Sequence, residues 1–96
     1  MSRYRRGVEV RLLGPLEVRD GGTVLALGPR RQRALLARLA LAAGRTVPAE
    51  QLLDDLWGEQ PPGSAAKMIQ VYVSGLRKVL PPGRLATRPP GYALRL

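Results

Sequence analysis

The stretch "VYVSGLRKVLPPGRLATRPPGYALRL", residues 71–96, decides the fold. Its first ten residues keep helical spacing, Pro81-Pro82-Gly83 stops them, and two short runs then flank Arg88-Pro89-Pro90-Gly91. Proline does not continue a helix, and glycine allows the reversal that follows. The stretch therefore reads as a helix end and two strands around a turn. The helix begins further back, with Ser64 as its expected cap, and runs to about Leu80. With Ile69 set at zero and a step of about 100°, Val73 falls near 40°, Leu76 near 340° and Leu80 near 20°. These four residues form an apolar stripe with Ala65, Ala66 and Tyr72 beside it. The opposite face carries Lys67, Gln70, Val71, Ser74 and Lys78, with Gly75 and Arg77 on its flanks. It holds no acid.

That set of side chains matches what base edges present. Gln bridges adenine, Arg or Lys meets guanine, and an aliphatic group touches a thymine methyl. The competing reading is an ordinary solvated helix face, but such faces mix both signs of charge. Gly75 in mid-helix costs about 1 kcal/mol relative to Ala. It reads either as a point of close backbone approach by a partner or as a tolerated cost. A helix with this face, followed by a basic hairpin, has the order of a winged helix. The helix enters the major groove and the hairpin, the wing, reaches the neighbouring minor groove. Arg88 sits beside the stiff Pro89-Pro90, and a narrow minor groove attracts an inserted Arg.

Working upstream, Val8, Val10 and Leu12 alternate with Glu9 and Arg11, the period of a half-buried strand. Gly14-Pro15 breaks the run, and Leu16 and Val18 resume it. Asp20-Gly21-Gly22 offers the residues of a tight hairpin, with "TVLAL" as the return strand. The resulting antiparallel sheet has an apolar face that needs a cover. Helix-starting Gly28-Pro29, then Leu35, Leu36, Leu39, Ala40 and Ala43, supply one, with Gly44 expected at the position just past the helix end. "TVPAEQLLDDLWG" predicts a shorter helix with Leu52, Leu53 and Leu56 inward and Gly58 at its end. "EQPPGS" is a loop by its prolines. The chain divides into a basic tail over 1–7 and one domain over 8–96.

The 96 residues, 45% hydrophobic, suffice for one modest core of Leu, Val and Ala. There is no cysteine and no histidine, which excludes disulfides and thiolate sites and removes the commonest general base and metal ligand. No metal or cofactor is expected. The formal charge is +9, a balance that points to nucleic acid, an anionic membrane surface or an acidic partner. No apolar run approaches the roughly 20 residues of a membrane span, and the start lacks a secretory signal's apolar core. A cytoplasmic protein without membrane partners is the reading. From Ser64 to Leu96 there are six bases (Lys67, Arg77, Lys78, Arg84, Arg88 and Arg95) and no acid. Between Arg45 and Lys67 the charge is reversed, with Glu50, Asp54, Asp55 and Glu59 and no base.

Five ordered segments, "LGPLEVRDGG", "GPRRQRALLARLALAAGR", "QLLDDLWGEQPP", "VYVSGLRKVL" and "LATRPPGYAL", resemble the OmpR/PhoB-type winged-helix domain over Val8 to Leu96. More closely, they look like the N-terminal DNA-binding domain of SARP-type activators, actinobacterial regulators typically of antibiotic gene clusters. The resemblance implies an α+β winged helix-turn-helix: a four-stranded N-terminal antiparallel sheet, three helices and a C-terminal β-hairpin wing. It implies that Lys67, Tyr72, Ser74, Arg77 and Lys78 contact DNA, that Gln70 and Val71 face the bases, and that Arg88 is the wing Arg. Trp57 matches a Trp whose indole N–H meets a phosphate, with a core role as the alternative. The loop from Gly58 to Ser64, with Glu59 and Gln60, matches a segment that contacts RNA polymerase or its sigma factor. The resemblance further implies homodimeric, head-to-tail pairs on direct repeats of double-stranded DNA. Two departures stand out. Similar proteins carry Arg where this chain has Gly75, and they continue into a helical activation domain.

Two other classes compete: an RNA-binding module, and a winged-helix protein-interaction module without specific DNA binding. Sequence-specific RNA modules offer exposed aromatics for stacking, whereas Tyr72 lies at the margin of the core stripe. An enzyme is disfavoured, because Asp54 and Asp55 diverge by about 100° on their helix and form no catalytic pair.

Overall fold

The structure, a computed structural model, describes residues 8–11 and 16–95. The basic tail over 1–7, Leu12, the Gly14-Pro15 break and Leu96 lie outside the described residues. Three short strands come first: β1 (Val8–Arg11), β2 (Glu17–Asp20) and β3 (Thr23–Val24). They form an antiparallel sheet in the order β1-β2-β3, with Val10 opposite Val18 and Asp20 opposite Thr23. The return strand is shorter than "TVLAL" predicts, although the Leu25 N–H still donates to the Val18 carbonyl at 2.9 Å. Gly21 and Gly22 both take positive φ in the hairpin, the conformation glycine reaches without a Cβ clash. Three strands of the four implied by the resemblance are seen among the described residues.

Next comes α1 (Arg30–Leu41), entered through Pro29. Leu35, Leu36 and Leu39 on it are fully buried and centre the core. The helix ends one residue earlier than the sequence predicts. Ala43, not Gly44, takes the first left-handed position with φ 53°, and Gly44 follows at φ 89°. After it, β4 (Val47–Pro48) leads directly into α2 (Ala49–Trp57), which buries Leu52 and half-buries Leu53 and Leu56. Gly58, at φ 71°, ends α2 as expected.

The third helix, α3 (Ala65–Val79), buries Ala65, Ile69, Val73 and Leu76. Ala66 does not join this stripe and is exposed. Ser64 precedes the helix but makes no cap hydrogen bond; its hydroxyl lies 3.7 Å from the Met68 sulfur instead. Strands β5 (Leu85–Arg88) and β6 (Gly91–Leu94) then form the hairpin, with Arg88 opposite Gly91. A second sheet runs β4-β6-β5, so the hairpin pairs with two residues from the far side of α1. Gly91 permits this. A Cβ there would run into the Val47 carbonyl oxygen and stand 2.7 Å from the Pro48 Cα. The three helices meet over one core, to which Val18 and Leu27 contribute from the N-terminal segment and Val47, Leu85 and Leu94 from the second sheet.

Candidate nucleic-acid interface

The buried stripe of α3 turns the rest of the helix outward. Lys67, Gln70, Val71, Ser74 and Lys78 are all exposed, Val71 by 58%. Val71 is among the few large apolar side chains left in solvent, which fits a surface meant to be covered. Among the described residues none of these five makes a salt bridge. Their charged and polar ends are therefore available to a ligand. No Asp or Glu stands on this helix to neutralise them.

Arg77 behaves differently from its neighbours. Its Nε donates to the Leu85 carbonyl at 3.1 Å and its Nη2 to the Thr87 hydroxyl at 2.7 Å. The guanidinium thus ties α3 to β5 and sets the angle between helix and wing. Guanidinium carries five donors, so the tether leaves others for a phosphate. Arg88 lies on the last residue of β5, exposed, beside the Pro89-Pro90 turn, whose peptide bond is cis.

Trp57 and Tyr72 form a bridge between α2 and α3. Their rings stack at 6.4 Å with an interplanar angle of 19°, and both are half-buried. The Arg31 guanidinium lies over the Trp57 ring, 5.1 Å from its centroid, while its Nε donates to the Leu56 carbonyl at 3.3 Å. Trp57 is therefore a packing residue at the rim of the core. Its indole N–H has no protein acceptor among the described residues.

Glu59 and Gln60 are exposed in the loop between α2 and α3. On α2 itself Asp55 is engaged, accepting from Arg38 Nε at 2.7 Å and from Gln51 Nε2 at 3.1 Å. Glu50 and Asp54 are exposed and unpaired among the described residues. The structure thus separates an acidic surface on α2 from the basic one on α3.

Sequence reasoning missed Gln32, a buried polar side chain. It sits against Gly75, where an added Cβ would collide with its amide. The close backbone approach at Gly75 is accordingly an internal one, made by α1. Nothing in "RRQR" marks the glutamine as buried, because the signal exists only once α1 and α3 cross.

Comparison with known proteins fits this geometry. Residues 22–94 match the family model described as "Transcriptional regulatory protein, C terminal". The chain is 50% identical over 84 residues to the regulatory protein AfsR of Streptomyces coelicolor, covering 88% of this chain and 8% of AfsR. It is 39% identical over 71 residues to the regulatory protein DnrI of Streptomyces peucetius, covering 74% of this chain and 26% of DnrI. Among solved structures, the RstA DNA-binding domain of Klebsiella pneumoniae in complex with the RstA box superposes with a TM-score of 0.68 at 30% identity. That match covers 82% of each chain. Mycobacterium tuberculosis EmbR in complex with a phosphopeptide gives a TM-score of 0.83 at 39% identity, covering 93% of this chain and 25% of EmbR. The chain spans only a small part of the curated relatives it matches, 8% of AfsR and 26% of DnrI.

Proposed function

The chain belongs to the OmpR/PhoB-type family of DNA-binding domains of transcription regulators, and within it to the SARP type. From that premise we propose that it binds duplex DNA sequence-specifically with α3 in the major groove and the β5–β6 wing in the neighbouring minor groove, and activates a biosynthetic gene cluster. The observation that carries the reading is the outer face of α3, which is exposed, free of acids and unpaired. Lys67, Gln70, Val71 and Ser74 meet base edges, and Lys78 meets a phosphate. Arg77 holds the wing and offers its remaining donors to the backbone, as Tyr72 and Trp57 do from the rim. Arg88 enters a narrow, A·T-rich minor groove, where its weaker hydration favours it over Lys.

On this reading the domain spans residues 8–96, preceded by a basic tail, and acts in the cytoplasm. Two copies bind head to tail on direct repeats. Glu59 and Gln60, set apart from the basic face, meet RNA polymerase or its sigma factor. The test is selection of bound duplexes from a random pool, followed by sequencing. A recurring motif, repeated at fixed spacing, supports the reading, and unenriched sequence sinks it. Substitution of Glu59 and Gln60 should then lower transcription at unchanged operator affinity. Parallel loss of both would reduce that loop to a structural role.

A further inference from the structure

Gln32 is 8% exposed, and its amide has a protein partner on one side only among the described residues. Nε2 donates to the Leu27 carbonyl at 2.9 Å, whereas Oε1 receives no protein donor among the described residues. A buried amide oxygen without a protein donor takes one from solvent or from a ligand, so what can reach it calls for an explanation. Its surroundings supply one. The oxygen lies in the space that any side chain at residue 75 would fill, and Gly28 leaves room on the Nε2 side, 2.5 Å from where its own Cβ would stand. The amide opens onto a groove of about 350 Å³ that it shares with Gly75, Lys67, Gln70, Ser74 and Lys78. The groove runs along the face described above, and Gly75 is its gap towards α1.

We propose that Gln32 is a further specificity residue, which reads DNA from beneath α3. Through the gap at Gly75, its Oε1 accepts a hydrogen bond directly from an exocyclic amino group. The chemistry restricts the donor. Phosphates and deoxyribose within a duplex offer acceptors only. In the major groove the donors are cytosine N4 and adenine N6, while guanine and thymine present acceptors. One operator position on one strand should therefore prefer C or A over G or T. The inference rests on the proposed docking of α3 in the major groove.

The experiment compares duplex selection for the wild-type chain, Gln32→Met and Gly75→Ala, with thermal melting run on each variant. Gln32→Met keeps the side-chain length and removes the acceptor. Gly75→Ala keeps Gln32 but pushes its amide out of the gap, and carries the test alone if Gln32→Met does not fold. The expected result is an otherwise intact motif in which C/A preference at one position falls about tenfold. A motif with no such position in the wild type, or one unchanged in the folded variants, overturns the inference and leaves major-groove docking standing. Equal loss of affinity for every sequence also overturns it and makes Gln32 an internal spacer. If the wild-type chain selects no motif at all, the docking reading fails and the inference falls with it.

Discussion

Helices α2 and α3 are built alike on the inside and oppositely on the outside. Each presses an apolar stripe against α1, Leu52 in one case and Ile69, Val73 and Leu76 in the other. Outside, α2 shows Glu50 and Asp54 and pins Asp55 to Arg38, while α3 shows unpaired cations, an amide and a hydroxyl. The inward halves contribute to stability, and on the reading proposed above the outward halves choose the partner. The two jobs are separable because a helix holds them on faces about half a turn apart.

The most damaging way to test the equivalence of the inward halves is truncation. Leu52→Ala and Leu76→Ala should each cost roughly 2–5 kcal/mol, because both side chains are fully buried and leave cavities. Denaturant titration of the two variants measures this, and a cost well under 1 kcal/mol at either site would show that its helix is loosely docked. The outward halves should respond differently. Gln70→Ala should weaken the preferred duplex by about 1–3 kcal/mol if it meets a base, with melting unchanged. Asp54→Ala on α2 should leave that affinity intact, so equal losses in a titration of both variants would erase the contrast.

Lys78→Ala sharpens the comparison within α3. As a phosphate contact it should weaken all sequences alike and flatten the salt dependence by about one unit. A loss confined to one operator would instead make it a base contact. The smallest effect is expected at the Arg38–Asp55 pair. Asp55→Ala should cost about 0.2–1 kcal/mol, since an exposed ion pair is screened by solvent. Calorimetry that gave several kcal/mol would mark α2 as dependent on its charges.

The inward stripe of α3 was legible in the sequence, because the period of 3.6 residues survives any tertiary arrangement and Ile69, Val73, Leu76 and Leu80 follow it without interruption. The stop at Pro81-Pro82-Gly83 and the hairpin beyond it were legible for the same local reason. Strand β4 was not. Two residues give no alternation, one of them is a proline, and its partner Tyr92 lies far along the chain. Arg77 read as another outward cation because its acceptors, Leu85 and Thr87, belong to an element that only folding brings near. Gln32 and Gly75 carry the same lesson. A glutamine among arginines looks solvated, and a helix glycine reads as a partner's approach point or a tolerated cost, until the crossing of α1 and α3 makes each the reason for the other. Ala43 shows the limit of propensity: the first of two left-handed positions fell on alanine, and glycine took only the second.

The short ladder between β4 and β6 has a further consequence for the order in which the molecule assembles. Val47 and Tyr92 are 92 − 47 = 45 residues apart, and the Ala49 N–H donates to the Pro90 carbonyl at 3.0 Å just beyond them. Closing a flexible loop of that length costs on the order of 3 kcal/mol in chain entropy, more than so short a ladder returns. The seat of the hairpin therefore cannot form ahead of the helices. Once α1, α2 and α3 have packed, most of that entropy has already been lost and the last residues close almost without penalty. The tip that carries Arg88 thus depends for its position on the packed helices as well as on the pairing of its own two strands.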